Sequence, residues 1–347
     1  MESKEKLTLI WSEEFWMQEA ERIEMAYWSL AGLPNVQAPD DDTPTEHRLE
    51  RFVRDLSRWT NIGNLHVGLT SSDLEDNIRI KRLEESLQVI GYLRGVFNSV
   101  VDLKTIEGDK VLIAYTHLMP AGVTRLSSRL KSIQKSNYSR PIVYKGIGGA
   151  LGDFKIQNML GLDRQTVNGA IFPGKVCQVT STQTVDHLTE LSVANTIIED
   201  TIFLAKTAND IRQMFSVGQA THIQKDVGST AIPGKKPNPW RYERVSGMAE
   251  MLYDLHARVA RIASSCLLER TLTNQSVLNA LFKEAFMVLA GMYEDMIDAL
   301  RITHFIDQKE ECEKSKYHTE EMMLEEVLGG TPRLLAHRSV HSKIHSN

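Results

Sequence analysis

The sequence predicts an all-α protein: an elongated central bundle of long helices with smaller helical regions at its two ends. Three observations carry that expectation. All ten Pro fall at positions 34, 39, 44, 120, 141, 173, 233, 237, 239 and 332, which leaves 45–119, 174–232 and 240–331 free of the strongest helix breaker. Within those windows apolar residues return every three or four positions, the spacing of one helix face. No stretch alternates apolar and polar residues with a period of two, so little sheet is expected.

Taken in order, the acidic, Pro-containing stretch LPNVQAPDDDTPTE (33–46) is a loop. HVGLTSSDLEDN (66–77) is a hydroxyl-rich turn that runs at once into a helical pattern over roughly 75–105. Thr70, Ser71 and Ser72 stand where a helix dipole and unpaired N–H groups would receive a carboxylate or phosphate. One hydroxyl there is ordinary capping; three in a row exceed what a cap needs. AYTHLMPAG (114–122) sets His117 among apolar residues and a Pro, and helical spacing resumes over 121–137. PIVYKGIGGALGD (141–153) imitates a strand feeding a dinucleotide turn, but the G-x-G-x-x-G pattern needs a third Gly at 151 and finds Leu151. Close backbone packing in a tight connection explains it better.

TSTQTVDH (180–187) places Gln183 and Thr184 at the head of a long helix running from Val185 to Val217. Leu188, Leu191, Ala194, Ile198, Ile202, Ala205 and Ala208 mark its face. At 1.5 Å per residue this helix is about 45–50 Å long, and apolar faces this wide suggest packing against other subunits. DVGSTAIPGKKPNP (226–239) holds three Pro and two Gly, so it is a loop. It offers the Ser229 and Thr230 hydroxyls, the Lys235 and Lys236 charges, and N–H groups that can bind an anion. Helical patterns over 240–268 and 275–302 are joined by the polar turn ERTLTNQS (269–276). The tail HRSVHSKIHSN is expected to fray. Its His337 and His341 stand four apart but lack a third ligand, so no metal is expected there. Three segments follow in chain order: a helical N-terminal domain (1–105), a central long-helix bundle (106–302) and a reduced C-terminal helical tail (303–347).

Composition narrows the function. The chain has 347 residues, a net charge of −5 and a pI near 6.1, which argues against a nucleic-acid surface as its main business. The N-terminus, MESKEKLTLIWSEEFW, is charged from its second residue and does not read as a secretion signal. No uncharged apolar run approaches the ~18 residues of a membrane span, so no membrane partner is expected. Cys177, Cys266 and Cys312 are too few and too scattered for a disulfide framework. A reducing, cytoplasmic setting is expected.

The loop GSTAIPGKKPNP is similar to the G-S-S-x-M-P-x-K-x-N-P signature of the fumarase/aspartase lyase superfamily. The order of HVGLTSSD, THLMP, GGALGD, TQTVDH, DIRQM, the signature loop and ERTLTNQSV resembles the adenylosuccinate lyase branch. The resemblance runs collinearly over about residues 10–300. It implies a homotetramer with a core of long helices, active sites shared between chains, and no metal or organic cofactor. It also implies β-elimination of fumarate from a succinyl-purine nucleotide. A base removes a proton beside a carboxylate, fixed positive charge and N–H groups stabilise the resulting dianion, and an acid protonates the leaving amine.

Carried over residue by residue, the resemblance makes Ser229 the base and His117 the acid or its orienting partner. His47, in TEHRLERF, resembles a second His of the branch. Glu243 falls where the branch has a Glu that pairs with the acid His. Thr70, Ser71, Ser72, Gln183 and Thr184 would hold a substrate carboxylate. Asn238 matches the signature Asn, and Lys236, with Lys235 as its rival, the signature Lys. Arg270 is retained after the Glu of ERTLTN, while Gln275 and Asn279 replace charged or hydroxylic phosphate contacts. The Arg and Gln that flank the acid His in this branch are absent from AYTHLM, and the N-terminal Arg-Tyr pair is missing. Arg241, Arg244 or Lys283 could compensate. These departures keep two alternatives open: a lyase for another succinyl-amine such as argininosuccinate, and an inactive structural homologue. A compact, divergent lyase of this kind fits a phage- or virus-encoded chain working in host cytoplasm.

Overall fold

The computed structural model describes residues 2–105, 110–114, 116–122, 124–131, 141–223, 238–269 and 272–345. Helix dominates, as expected. The longer helices are α1 (Ser3–Ile10), α2 (Glu13–Ala31), α3 (Arg48–Thr60), α4 (Ser71–Thr105), α5 (Thr124–Lys131), α7 (Arg164–Ile171) and α8 (Leu188–Ser216). They continue with α9 (Trp240–Ala249), α10 (Leu255–Ser264), α11 (Leu272–Ile302), α13 (Thr319–Leu328) and α14 (Arg333–His345). Short α6 (Lys155–Met159) and α12 (Lys309–Cys312) complete the described helices. Sheet is confined, among the described residues, to three two-stranded pieces. Antiparallel β1 (Val111–Ala114) and β2 (Met119–Gly122) pair Leu112 with Ala121. Parallel β3 (Val143–Tyr144) and β4 (Val176–Cys177) pair Tyr144 with Cys177, and antiparallel β5 (Ala220–His222) and β6 (Thr303–Phe305) pair Thr221 with His304.

Local chemistry sets the helix ends. Ser12 caps α2 by accepting from Phe15 N at 3.1 Å, with Glu13 and Glu14 in the first turn, and Gly32 closes it at φ 60°. Asp163 caps α7 by accepting from Thr166 N at 2.9 Å. The loop 33–46 is irregular, as its Pro content predicts.

Three expectations need correction. The pattern over 240–268 is two helices, α9 and α10, separated by turns at 250–254. No Gly or Pro marks the break, and Leu252 and Leu255 are both buried there. The tail does not fray: α14 runs to His345 and packs on α13, burying Ala336 and Val340. Glu326 of α13 accepts from Ser339 Oγ at 2.8 Å and Lys343 Nζ at 2.7 Å, ties that no reading of the tail alone could supply. On α8 the buried stripe is Val193, Ala194, Ile197, Leu204, Ala205, Ala208 and Ile211. Leu188 and Ile202, assigned to the core face, are 46% and 49% exposed.

The chain divides into two compact units that follow packing rather than chain order. The first comprises Met1–Leu93, Asn137–Thr201 and Glu250–Gly291. Its core joins Trp16, Ile23 and Tyr27 of α2 to Leu74, Ile78 and Leu83 of α4, Val193 and Ile197 of α8, and Phe282 and Phe286 of α11. Trp11 donates to Ser86 Oγ at 3.0 Å and Trp16 to Glu75 Oε2 at 3.1 Å, so both indoles bury with their N–H groups satisfied. The second unit comprises Arg94–Ser136, Ile202–Ala249 and Met292–Asn347. It packs Phe97 edge-on against Tyr293, 6.0 Å between centroids, with Leu204, Ile211, Tyr242, Met296 and Leu300 also buried.

Candidate active site

The hydroxyl turn is built in the first unit, and Asp73 organises it. α4 begins at Ser71, and Thr70 N donates to Asp73 Oδ2 at 3.0 Å. The same buried carboxylate accepts from Gly148 N at 2.9 Å, from Gly149 N at 3.0 Å and from Lys145 Nζ. The glycine-rich turn is therefore an anion cradle whose anion is the protein's own Asp73. That is why it resembles a phosphate loop without being one. Asn77 brackets Gly146, accepting from its N at 2.9 Å and donating to its O at 3.0 Å. A Cβ on Gly152, at φ +76°, would stand 2.2 Å from Ser181 O, so glycine alone permits this approach.

Through Ser181 and its neighbours the cradle reaches the TQT segment. Ser72 Oγ donates to Gln183 O, and Gln183 Nε2 donates to Thr70 Oγ1 at 3.2 Å. Thr184 Oγ1 donates to Leu267 O at 2.7 Å, tying the segment to the residues just before ERTLTN. Motifs more than a hundred residues apart in the chain thus meet. Ser72 is fully buried, so its hydroxyl positions Gln183 and does not face solvent; Ser71 is the more open member of the trio.

Ser71 and Thr70 line a cavity of about 540 Å³ with His47, His66, Glu50 and Arg54 among its other walls. His47 caps α3, its Nδ1 accepting from Glu50 N at 3.3 Å, an arrangement that puts the ring proton on Nε2. His66 was not singled out by the sequence. Its backbone is left-handed, at φ 63°, and its N donates to Glu24 Oε2 at 3.0 Å while its Nδ1 lies 2.5 Å from Glu24 Oε1. Glu24 is fully buried on α2, so the ring is held rigidly at the cavity wall. The only sequence hint was a His directly before the hydroxyl turn; the fixing carboxylate lies 42 residues away.

The second unit carries His117, Asn238, Arg241, Glu243 and Arg244. His117 is exposed on the turn between β1 and β2, followed by Leu118 at φ 50°. Asn238 is exposed just ahead of α9. Glu243, in the first turn of α9, lies 3.6 Å from Arg212 Nη2 and makes no hydrogen bond to His117 among the described residues. Arg241 and Arg244, offered as phosphate ligands, are both committed to the buried Asp295, at 3.2 Å and 2.5 Å. Ser229, Lys235, Lys236 and Arg270 lie outside the described residues; Gln275 lies in the first turns of α11. Among the described residues no group of His, Cys, Asp and Glu has the arrangement of a metal site, and no helix is long and apolar enough to cross a membrane.

The fold defines a class. The structure superposes on β-carboxy-cis,cis-muconate cycloisomerase from Acinetobacter calcoaceticus with a TM-score of 0.73, covering 97% of this chain and 85% of that one at 16% identity. The 3-carboxy-cis,cis-muconate lactonizing enzyme from Pseudomonas putida gives 0.72 at 15% identity, with 97% and 84% covered. The chain therefore has the all-α fold of these two enzymes. By sequence it is similar to adenylosuccinate lyases. It is 27% identical over 294 residues to that of Pyrococcus abyssi, covering 76% of this chain and 61% of the relative. It is 24% identical over 246 residues to that of Schistosoma mansoni, covering 64% and 50%. It is 25% identical over 256 residues to that of Saccharomyces cerevisiae, covering 65% and 50%. The chain thus spans 61%, 50% and 50% of these relatives' lengths. No family model matches it.

Proposed function

We propose that the protein is a fumarate-releasing C–N lyase acting on adenylosuccinate or a related succinyl-purine nucleotide. The observation that carries the reading is the hydrogen bond that joins Gln183 to Thr70, beside a cavity that also presents His47 and His66. Hydroxyls and an amide converging at a helix N-terminus suit a carboxylate of the succinyl group. Ser229 removes the proton next to that carboxylate, and Lys236 or Lys235 and the loop N–H groups stabilise the dianion that forms. His117 protonates the departing amine, a task for a group that titrates near neutrality. Asn238 and Arg270 hold the substrate's anionic ends. The loop 226–239 closes over the substrate for the elimination and opens to release fumarate.

His117 and Glu243 share a unit without touching, which supports a site completed by neighbouring chains of a homotetramer, each supplying one motif. The exposed apolar residues Tyr92, Leu103 and Ile202 on the long helices are the kind of surface such an assembly covers. The reaction uses no metal or organic cofactor.

A second reading rests on Asp295. With Arg241 and Arg244 spent on it, the phosphate grip is weaker than a nucleotide site calls for, which favours another succinyl-amine such as argininosuccinate. The deciding experiment follows fumarate release by the purified protein from adenylosuccinate and from argininosuccinate, with Ser229→Ala beside the wild type. Turnover of adenylosuccinate that falls by about 10²–10⁴ in the variant is expected. Turnover of argininosuccinate alone moves the reading to the second substrate, and inertness toward both overturns the lyase.

A further inference from the structure

Three side chains of the first unit stand in line outside the proposed lyase chemistry. His187 Nε2 lies 2.9 Å from Cys266 Sγ, and His187 Nδ1 lies 2.9 Å from Glu190 Oε1. The same Glu190 oxygen accepts from Arg79 Nε at 3.0 Å, and Arg79 in turn donates to Asp76 at 2.7 Å. His187, Glu190, Arg79 and Asp76 are all buried, while Cys266, in the segment after α10, is partly exposed. His187 also holds a left-handed backbone at φ 57°, a conformation that is strained for a residue with a side chain. The fold therefore aims this ring deliberately, with a carboxylate behind it and a thiol in front.

That order of groups is the arrangement that activates a nucleophile. Burial alone would push the Glu190 carboxyl up, but the Arg79 guanidinium and the His187 hydrogen bond hold it down at about 2. It stays charged, and it holds the ring with Nε2 facing the Cys266 thiol. The other two thiols have opposite surroundings. Burial pushes the Cys177 thiol up to about 11, and burial with nearby Glu311 and Asp307 raises that of Cys312.

We propose that Cys266 is an activated thiolate paired with the His187 imidazolium, and that it is a modification site for soft electrophiles and hydroperoxides. The Sγ proton passes to His187 Nε2. With hydrogen peroxide, the sulfur lone pair attacks one peroxide oxygen, an S–O bond forms and the O–O bond breaks. The departing hydroxide takes the proton from His187 Nε2 and leaves as water. Sulfur is oxidised by two electrons to a sulfenic acid, and the peroxide is reduced. The charged groups around the ring are Glu190 from α8, Arg79 and Asp76 from α4, and the thiolate; Asp186, next in the chain, caps Leu188 N at 3.0 Å. The neighbouring Leu267 O accepts from Thr184 Oγ1 at 2.7 Å, so a group added to Cys266 bears on the segment that carries Gln183 and Thr184. The inference itself does not depend on the lyase reading.

The test treats the full chain with iodoacetamide from about pH 5.5 to 9 and follows each cysteine by peptide mass spectrometry. Cys266 is expected to alkylate at least tenfold faster than Cys177 and Cys312 at about pH 6, and to level off below the ordinary thiol midpoint near ~8.5. Hydrogen peroxide followed by dimedone should label Cys266 as a sulfenic acid. His187→Asn keeps a residue that tolerates left-handed backbone. It should slow the pH 6 alkylation tenfold or more with an unchanged far-ultraviolet circular dichroism spectrum. Equal rates at all three cysteines, a Cys266 rate rising through ~8.5 like an ordinary thiol, or an unchanged rate in folded His187→Asn would each overturn the proposal. If that variant does not fold, the wild-type pH profile decides alone.

Discussion

Asp73 accepts from Thr70 N, Gly148 N, Gly149 N and Lys145 Nζ while fully buried, so each donor depends on its charge. Asp73→Ala leaves the Lys145 ammonium buried without its partner, and such a loss costs about 3–5 kcal/mol. Urea denaturation should report a drop of that size, and a loss under about 1 kcal/mol would mean the cradle is not stabilised by charge. Glu190 gives a second prediction at this scale. The Arg79 guanidinium and the His187 hydrogen bond hold its carboxyl at about 2 in the folded chain, below its ordinary value of 4.5. Its contribution is therefore fully present above about pH 4.5 and is lost as pH falls toward 2, because the unfolded chain takes up the proton first. Glu190→Gln should flatten the pH dependence of stability in that window; an unchanged slope would rule Glu190 out as its source.

Among elements, the glycine turn and the C-terminal hairpin make the most exposed predictions. Gly152→Ala puts a Cβ where Ser181 O stands at 2.2 Å, on a backbone at φ +76°. Overpacking and left-handed strain together should cost about 3 kcal/mol. Displacement of the 181–184 segment should raise KM more than it lowers kcat, and an unaltered KM would separate this turn from substrate binding. On α14, Ala336 is fully buried against α13. Ala336→Arg should free the last helix and make residues 319–345 sensitive to limited proteolysis, whereas wild-type resistance in the variant would show that the hairpin does not rely on that contact. Helix identity was largely legible, since α4, α8 and α11 follow uninterrupted apolar periodicity. The break between α9 and α10 was not. No residue in the turn 250–254 announces it.

For the whole molecule, a proposed homotetramer with shared sites makes a mixing prediction. His117→Ala and Ser229→Ala should each be inactive alone and should regain part of the activity when unfolded and refolded together. Light scattering should give a mass near four chains of 39.3 kDa. A monomer that turns over, or a mixture that stays dead beside an active wild type, would count against chains contributing to one another's sites.

By itself the sequence determined the helical class and the collinear motifs, because periodicity and Pro placement act over neighbouring residues. It also determined that 141–153 is a packing turn, because the missing third glycine is a local fact. Tertiary structure alone decided what the turn's N–H groups bind, since Asp73 lies more than seventy residues away from Gly148 and Gly149. It decided that Ser72 positions Gln183 while Ser71 lines a cavity, and that His66 is fixed by Glu24. It decided too that Arg241 and Arg244 are spent on Asp295. A residue type and its spacing state which bonds are possible. Which hydroxyl or charge is already satisfied depends on partners that only folding brings within 3 Å or so.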